Sequence, residues 1–309
     1  MDSNLDNASP SYFASLTKLV EHQQYPVSAL YVVATPLGNV ADITLRALEV
    51  LRRVDVVAAE DTRNTAQLLS RYGLQKNLLA LHEHNESQAA QQLCGRLAQG
   101  ERIALVSDAG TPGISDPGAR AVAAVRTAGY PVVPLPGPSA LITLASVAGL
   151  SDAPLYFAGF LPSKTTQRQH ALQALNGVFA HLIFYEAPHR ILETVQALAA
   201  EWPERQLLIG RELTKQFEQI VGIPLSEAVA WLQQTPNHQR GEFVLMVSAP
   251  LPAEDEQAVD PEAERVLNIL LSELPTKQAA QLAAHITGAK KNALYAHALT
   301  LKNSLHDEK

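Results

Sequence analysis

The sequence is poor in cysteine, in charge and in long apolar runs. Cys94 is the one cysteine in 309 residues, so no disulfide can close within the chain. With no C-x-x-C pair and no Cys/His cluster, a structural zinc site is excluded too, and both absences fit a reducing, cytoplasmic setting. No stretch approaches the roughly 18 consecutive apolar residues that a membrane-spanning helix needs. Residues 1–28 carry Asp2 and Asp6 where an export signal would have a basic and then an apolar stretch. The expectation is a protein neither inserted into a membrane nor secreted. Only 18% of residues are charged, and the formal charge is 24 − 31 = −7. A surplus of acid opposes indiscriminate nucleic-acid binding, which depends on Lys and Arg neutralising phosphates. Any basic face must therefore be local.

What the chain has is a 47% hydrophobic complement, enough for a sizeable core, and a length that suggests about two domains with a small appendix. From Ala29 onward, short β-rich runs alternate with amphipathic helices. ALYVVA leads to DITLRALEVLRRV, then DVVAAE to TRNTAQLLSRYG, and IALVS to ARAVAAVRTAG and PVVPL. This alternation is the signature of α/β structure. Asp42 is the expected cap of the first of these helices, and Gly73 and Gly100 stand where residues just past a helix end are expected. After PGPSALITLASVAGL the rhythm restarts with LYFAGF, HLIFYE, RQLLIGREL and EFVLMVSA. The fold class read from this is α/β, with two lobes, residues 29–140 and 150–249, and a ligand cleft between them. Residues 1–28 read as a flexible extension with one marginal helix. The acidic, proline-rich residues 250–261 read as a linker. Residues 262–309 read as a helical tail whose Lys277, Lys290, Lys291 and Lys302 make it locally basic. That tail is either a solvated helical cap or a module that contacts RNA.

The densest signal is SDAGTPGISDPG, residues 107–118, between an apolar strand and a helix. Glycine and proline at this density stiffen a loop at a strand's carboxyl end, where α/β proteins hold ligands. It has neither the lysine of a phosphate-gripping Walker loop nor the G-x-G-x-x-G of a dinucleotide fold. Instead Asp108 and Asp116 would repel a polyphosphate and tolerate a cationic ligand. S-adenosylmethionine, a sulfonium without phosphate, suits such a loop. TPLGN (residues 35–39) and LPGPSA (residues 135–140) follow two other strands of the same lobe and share its rim. His82-Glu83-His84 lacks a clear third ligand, and no metal is expected. Cys94 reads as a semi-buried apolar residue of a helix.

TPLGNVADIT, AAEDTRNT, SDAGTPGISDPG, PLPGPSA, FAGFLP, FYEAPHR, RELTK and RGEFV, in this order, resemble the tetrapyrrole methylase superfamily, the class III S-adenosylmethionine-dependent methyltransferases. Within it they are similar to the branch that methylates cytidine 2′-oxygens of 16S ribosomal RNA. The likeness runs from about Leu30 to Val247, and KKNALYAHAL resembles that branch's C-terminal helices. The resemblance implies two α/β lobes, S-adenosylmethionine as methyl donor, a homodimer, and a decoding-centre cytidine ribose (cytidine 1402) of the small ribosomal subunit as target. Porphyrin-modifying relatives carry a glycine-richer first loop than Thr35-Pro36-Leu37-Gly38-Asn39, a departure that favours the RNA branch.

By the same resemblance the donor contacts are Leu37, Asp108, Ala109, Gly110, Ser115, Pro136, Gly137, Pro138 and Ser139, joined from the second lobe by Phe160, Tyr185 and Arg211. A ribose hydroxyl is a poor nucleophile at neutral pH, so a proton acceptor would help an in-line displacement. The charged groups near strand ends are Glu60, Asp61, Glu186, His189, Glu212 and Lys215. Glu60, Asp61, Glu186 and Lys215 are the catalytic candidates, with structural ion pairing as the alternative for each. Arg63, Arg190, Lys290 and Lys291 are candidates for RNA phosphate contact. Two other functions stay open at this point: a methyltransferase acting on a tetrapyrrole, which leaves the basic tail unused, and a binding module without catalysis.

Overall fold

The computed structural model describes residues 10–149, 153–250 and 260–304. The chain divides into two compact units, one ending at Ala249 and the other beginning at Pro250. Among the described residues no helix is long and apolar enough to cross a membrane.

The first lobe is built on a parallel sheet ordered β3-β2-β4-β1-β5: β1 (Ala29–Val33), β2 (Val56–Ala59), β3 (Asn77–Ala80), β4 (Arg102–Val106) and β5 (Val132–Leu135). Its central strands are buried on both faces, which is why ALYVV and VVAA read as unbroken apolar runs. Helix α1 (Pro10–Glu21) precedes the sheet. Helices α2 (Leu45–Arg53) and α3 (Thr62–Arg71) follow β1 and β2, and α4 (Glu86–Ala98) and α5 (Ala119–Thr127) follow β3 and β4. Asp42 does not cap α2. It lies in a short 3-10 turn, and Thr44, two residues later, accepts from the Ala47 N–H at 3.1 Å. Gly73 and Gly100 do follow the ends of α3 and α4, with φ of 69° and 89°. The residues after α1 are held to the lobe: Tyr25 is buried, and its carbonyl accepts from Arg102 Nε at 3.1 Å.

The second lobe restarts the rhythm without copying the first sheet. Its order is β6-β7-β10-β8-β9, from β6 (Leu155–Phe160), β7 (His181–Glu186), β8 (Gln206–Arg211), β9 (Gln219–Pro224) and β10 (Phe243–Val247). Only the β6 and β7 pairing is parallel. Helices α7 (Thr165–Gln173), α8 (Ile191–Glu201) and α9 (Leu225–Gln233) cover one face. The other face receives α6 (Ala140–Ser146), formed by the run that leaves the first lobe. Leu144 of α6 is buried there with Ile183, Val244 and Met246. A Cβ on Gly210 would come within 2.8 Å of Leu144 Cδ1, so β8 has glycine where α6 crosses it.

Among its described residues the C-terminal unit has three helices, α10 (Pro261–Leu271), α11 (Thr276–Thr287) and α12 (Lys291–Ser304). They close on small residues, with Ala263, Ala279, Ala280, Ala283 and Ala298 fully shielded around Leu267 and Leu294. Of the expected linker, residues 251–259 lie outside the described residues, as do residues 1–9 of the expected extension.

One buried carboxylate ties two helices of the first lobe together. Glu86, at the start of α4, accepts from the N–H groups of Gly118 (3.0 Å), Arg120 (2.9 Å) and Ala121 (3.4 Å). It thus caps α5 from outside and satisfies donors that the helix leaves orphaned. Glu86→Ala is expected to cost about 1–3 kcal/mol, the range for unsatisfied buried donors and a lost cap. Urea denaturation measures this, and a change under a few tenths of a kcal/mol would contradict the role.

Candidate active site between the lobes

All five strands of the first sheet run the same way, so the loops after β1, β2, β4 and β5 emerge along one edge. Three of them are laced together. Thr35 and Gly110 exchange both backbone hydrogen bonds, Thr35 N–H to Gly110 O at 2.9 Å and the reverse at 3.0 Å. Thr35 Oγ1 donates to Ser107 O at 3.0 Å, and Thr111 Oγ1 donates to Pro138 O at 3.0 Å. Gly110 sits at φ 82°, left-handed backbone that a side chain would strain. At Gly137 a Cβ would lie 2.8 Å from Ala34 Cβ, which is why the third loop can press against the first.

Between this rim and the second lobe lies a cavity of about 390 Å³, within the size range of small-molecule sites. Leu37, Glu60, Asp108, Ala109, Gly110, Ser115 and Ser139 line it from the first lobe, and Phe160, Tyr185 and Glu186 from the second. Tyr185 stands between lobes: its hydroxyl accepts from the Leu141 N–H at 3.2 Å, and Phe157 and Phe160 meet its ring edge-on at 4.9 and 5.8 Å between centroids. Phe160 is half exposed at the mouth. A bulge in β6 at Gly159 (φ 70°) brings that backbone to the first lobe, where a Cβ would be 3.9 Å from Ser115 Oγ.

The lining includes five acidic residues, Glu60, Asp108, Asp116, Glu186 and Glu242, and among the described residues no Lys, Arg or His. Two are neutralised from behind, Glu186 by Arg190 and Glu242 by Lys215. The other three, all from the first lobe, make no ion pair among the described residues. Burial pushes the Glu60 pKa up, and the charge of Asp116 pushes it further, against a 3.5 Å hydrogen bond donated by Asp108 N–H. Burial likewise raises Asp116, with Asp108 adding repulsion and the Ser107 hydroxyl opposing it. Asp108 itself is held in place: Asn64 Nδ2 donates to Oδ2 at 2.7 Å and the Asp61 N–H donates to Oδ1 at 3.2 Å.

Several expected site residues do other work. Asp61 caps α3, accepting from Arg63 and Asn64 N–H. The Arg63 side chain beside it holds its pKa down to about 2, too weak a base for a neutral hydroxyl. The Glu186 carboxylate is fully buried, accepting from Thr194 Oγ1 at 2.5 Å and Ala187 N–H at 2.8 Å; it anchors the turn after β7. Arg190 pairs with it at 3.2 Å and donates to Leu161 O, so its guanidinium is committed within the fold. Arg211 is not in the cavity lining; it donates to Asn237 O (3.1 Å) and Phe217 O (3.0 Å) and secures two loops of the second lobe. Pro136, Gly137 and Pro138 also lie behind the lining, supporting Ser139, which reaches it.

Lys215 is a clamp. Its Nζ lies 3.0 Å from Glu212 and 2.9 Å from Glu242, and its stem lies over Gly38, where a Cβ would come 2.2 Å from Cγ. Burial alone would lower its pKa, but those two carboxylates outweigh burial and raise it; a lysine held protonated is no proton acceptor. The loop that carries it is strained, with Glu212 at φ 51° and Thr214 at φ 66°. Thr214 Oγ1 accepts from Asn39 N–H at 3.2 Å, a second link across the lobes. Leu213, between the two strained residues, faces the cavity with Glu242, Phe243 and Val244. Sequence reading passed over these four, although RELTK and RGEFV contain them.

Comparison with known proteins adds what geometry alone does not give. Residues 29–229 match the family described as Tetrapyrrole (Corrin/Porphyrin) Methylases. The chain belongs to that family. Residues 257–302 match the RsmI C-terminal HTH domain. A ribosomal RNA small subunit methyltransferase I of Escherichia coli O157:H7 is 50% identical over 271 residues, covering 87% of this chain and 94% of that protein. The protein of that name from Pseudomonas aeruginosa is 49% identical, over 87% and 96% of the two chains. Among solved structures this member of the tetrapyrrole methylases is similar in fold to the methyltransferase CobJ, with a TM-score of 0.55 at 19% identity over 71% and 93% of the chains. Diphthine synthase is similar at 0.53 and 18%, over 72% and 90%.

The two raised carboxylates set a pH dependence. Their ordinary values are 4.5 and 3.8, and the folded state keeps their protons to higher pH than the unfolded chain does. Stability is therefore fullest below those values and falls as pH rises through the raised ones. Glu60→Gln and Asp116→Asn are each expected to stabilise the ligand-free protein at pH 7.5 and to lose most of that gain near pH 4. Urea unfolding at both pH values checks the sign; no gain at pH 7.5 would refute it.

Proposed function

We propose that this chain uses S-adenosylmethionine to methylate small-subunit ribosomal RNA, placing the methyl group on a ribose 2′-oxygen of a decoding-centre cytidine, cytidine 1402. The observation that carries the reading is the cavity: nucleoside-sized, set between the lobes at a strand-end rim, and walled by carboxylates with no cation in its lining. Such walls reject a polyphosphate and accept a sulfonium nucleoside. The relatives named ribosomal RNA small subunit methyltransferase I, alike over nearly their whole length, support the RNA target.

The bound donor supplies an activated methyl group. The chain then supplies orientation and a dry site, which is what an in-line displacement chiefly requires. Leu37, Gly110 and Ser139 shape the rim around the nucleoside, and Asp108, fixed by Asn64, offers a carboxylate to its hydroxyls. Of the four catalytic candidates, Glu60 alone lines the cavity with a carboxylate free of any ion pair among the described residues. Its raised pKa brings it closer to the working pH of a general base. Phe160 and Tyr185 offer aromatic faces to adenine or to an extruded base.

RNA contact is assigned to Arg63, exposed on the first turn of α3, and to Lys290 and Lys291 at the start of α12. Residues 276–304 hold four lysines and no Asp or Glu, so the basic face of an acidic protein is concentrated there. The active form in the cytoplasm is read as a homodimer, which exposed Ile142, Val147, Phe217 and Ile220 on α6, β9 and the adjoining loops would serve.

Calorimetry is expected to show S-adenosylmethionine binding, and Gly110→Val, which forces a branched side chain into left-handed backbone beside Leu37, is expected to abolish it. Incubation of the protein with labelled donor and undermethylated small subunits should place label on ribose; label on a base, or on uroporphyrinogen offered instead, would overturn the assignment. Removing residues 250–309 should weaken binding to the subunit at least about tenfold while leaving donor binding intact; unchanged subunit affinity would remove the tail's role.

A further inference from the structure

The donor and the product left after transfer differ in this cavity by one methyl group and one charge. When the methyl passes to the ribose oxygen, the carbon–sulfur bond breaks with its electron pair on sulfur, the hydroxyl proton leaves to a base, and a cationic sulfonium becomes a neutral thioether. Three carboxylates of the lining, Glu60, Asp108 and Asp116, have no cation paired with them among the described residues, whereas Glu186 and Glu242 do. Glu60 follows β2 and the other two belong to the loop after β4, and the two loops meet where the Asp108 N–H donates to Glu60 Oε2 at 3.5 Å; Asp116 and Asp108 both push the Glu60 pKa up. Among the described residues none of the three caps a helix or closes an ion pair; Glu60 and Asp116 are half-buried and Asp108 is exposed beside them, and repulsion among these neighbouring like charges is a cost the empty protein bears. A bound cation removes that cost.

We propose that Glu60, Asp108 and Asp116 form a charge-sensing wall that holds the cationic donor and loosens its grip once sulfur becomes neutral, so that the chemical step itself triggers product release. The proposal rests on the reading of the cavity as the donor site. Coulomb attraction at a partly buried site is strong enough for the effect, since one unit charge a few ångströms from another is worth several-fold to many-fold in affinity even under surface-like screening. Neutral contacts to adenine and ribose are shared by donor and product and contribute nothing to the difference.

Two stable ligands separate the charge from the chemistry: S-adenosylhomocysteine, the neutral product, and sinefungin, which carries a protonated amine where the donor carries its methylated sulfur. Calorimetry on the full-length protein at pH 7.5 and low salt is expected to give at least about tenfold tighter binding of sinefungin. Asp116→Asn and Glu60→Gln should each cut that ratio by at least about threefold, with S-adenosylhomocysteine binding equal to or tighter than before, and the ratio in the wild-type protein should fall as salt is raised. Thermal melts of both variants identify any folding defect, and two substitutions in different loops guard against a single failure. Equal affinity for both ligands in the wild-type protein, or a ratio unmoved by either substitution, overturns the charge-sensing wall while leaving the donor site standing. Failure of both ligands to bind the wild-type protein would instead overturn the donor site.

Discussion

The reciprocal pair of backbone hydrogen bonds between Thr35 and Gly110 is the constraint on which the site rests. It joins the loop after β1 to the loop after β4 at one point, and only left-handed backbone at Gly110 lets the second loop turn back to make it. Ser107 and Thr111, on either side, extend the stitching to Thr35 and Pro138. A rim fixed by main-chain bonds needs few side chains for its own support, which leaves Leu37, Asp108, Ser115 and Ser139 free to face the cavity. The Glu86 cap on α5 secures the far end of the same loop. Rigidity here comes from backbone geometry and sits where a ligand would otherwise have to order the loop at its own expense of entropy.

The second lobe meets this rim through an apolar cluster around Leu144, which Leu37 joins from the rim, and through polar and strained contacts beside it. Lys215 over Gly38 and Thr214 against Asn39 fasten the loop after β8 to the loop after β1. Left-handed backbone at Glu212 and Thr214 is sustained by that fastening and by the Glu242 N–H, which donates to Glu212 Oε1 at 2.9 Å. In this arrangement the ion pairs near the cavity serve architecture, and Glu60, Asp108 and Asp116 face the cavity with no ion pair among the described residues.

Much of this was legible in the chain, and the exceptions have physical reasons. The strands ALYVV, VVAA and IALV announced themselves because both of their faces are buried. β3 did not, since NLLA is four residues long at a sheet edge and half exposed. β9 hid behind Gly222 and Pro224 in QIVGIP, and α9 was passed over although Leu225, Ala228 and Leu232 repeat with helical spacing. The Gly/Pro loop located the cavity because loop stiffness is written in composition. The division of labour among the acids was not, because Glu60 and Asp61 are neighbours in sequence and only the third dimension puts one in the cavity and the other on a helix end. Asp42 lost its expected role to Thr44 for the same reason: the chain makes a 3-10 turn first, and α2 begins later.

Helix α6 leaves the first lobe at Ser139, on the rim itself, yet its buried Leu144 rests on β8 and β10, which are synthesised some sixty to a hundred residues later in the chain. A nascent polypeptide halted after β7 would hold a finished first sheet and the contacts of α6 to Ile183 and Tyr185, without those to Gly210, Val244 and Met246. The cavity wall is thus complete only when β10, which carries Phe243 and Val244, has been made, so one pocket draws on residues about two hundred positions apart in the chain.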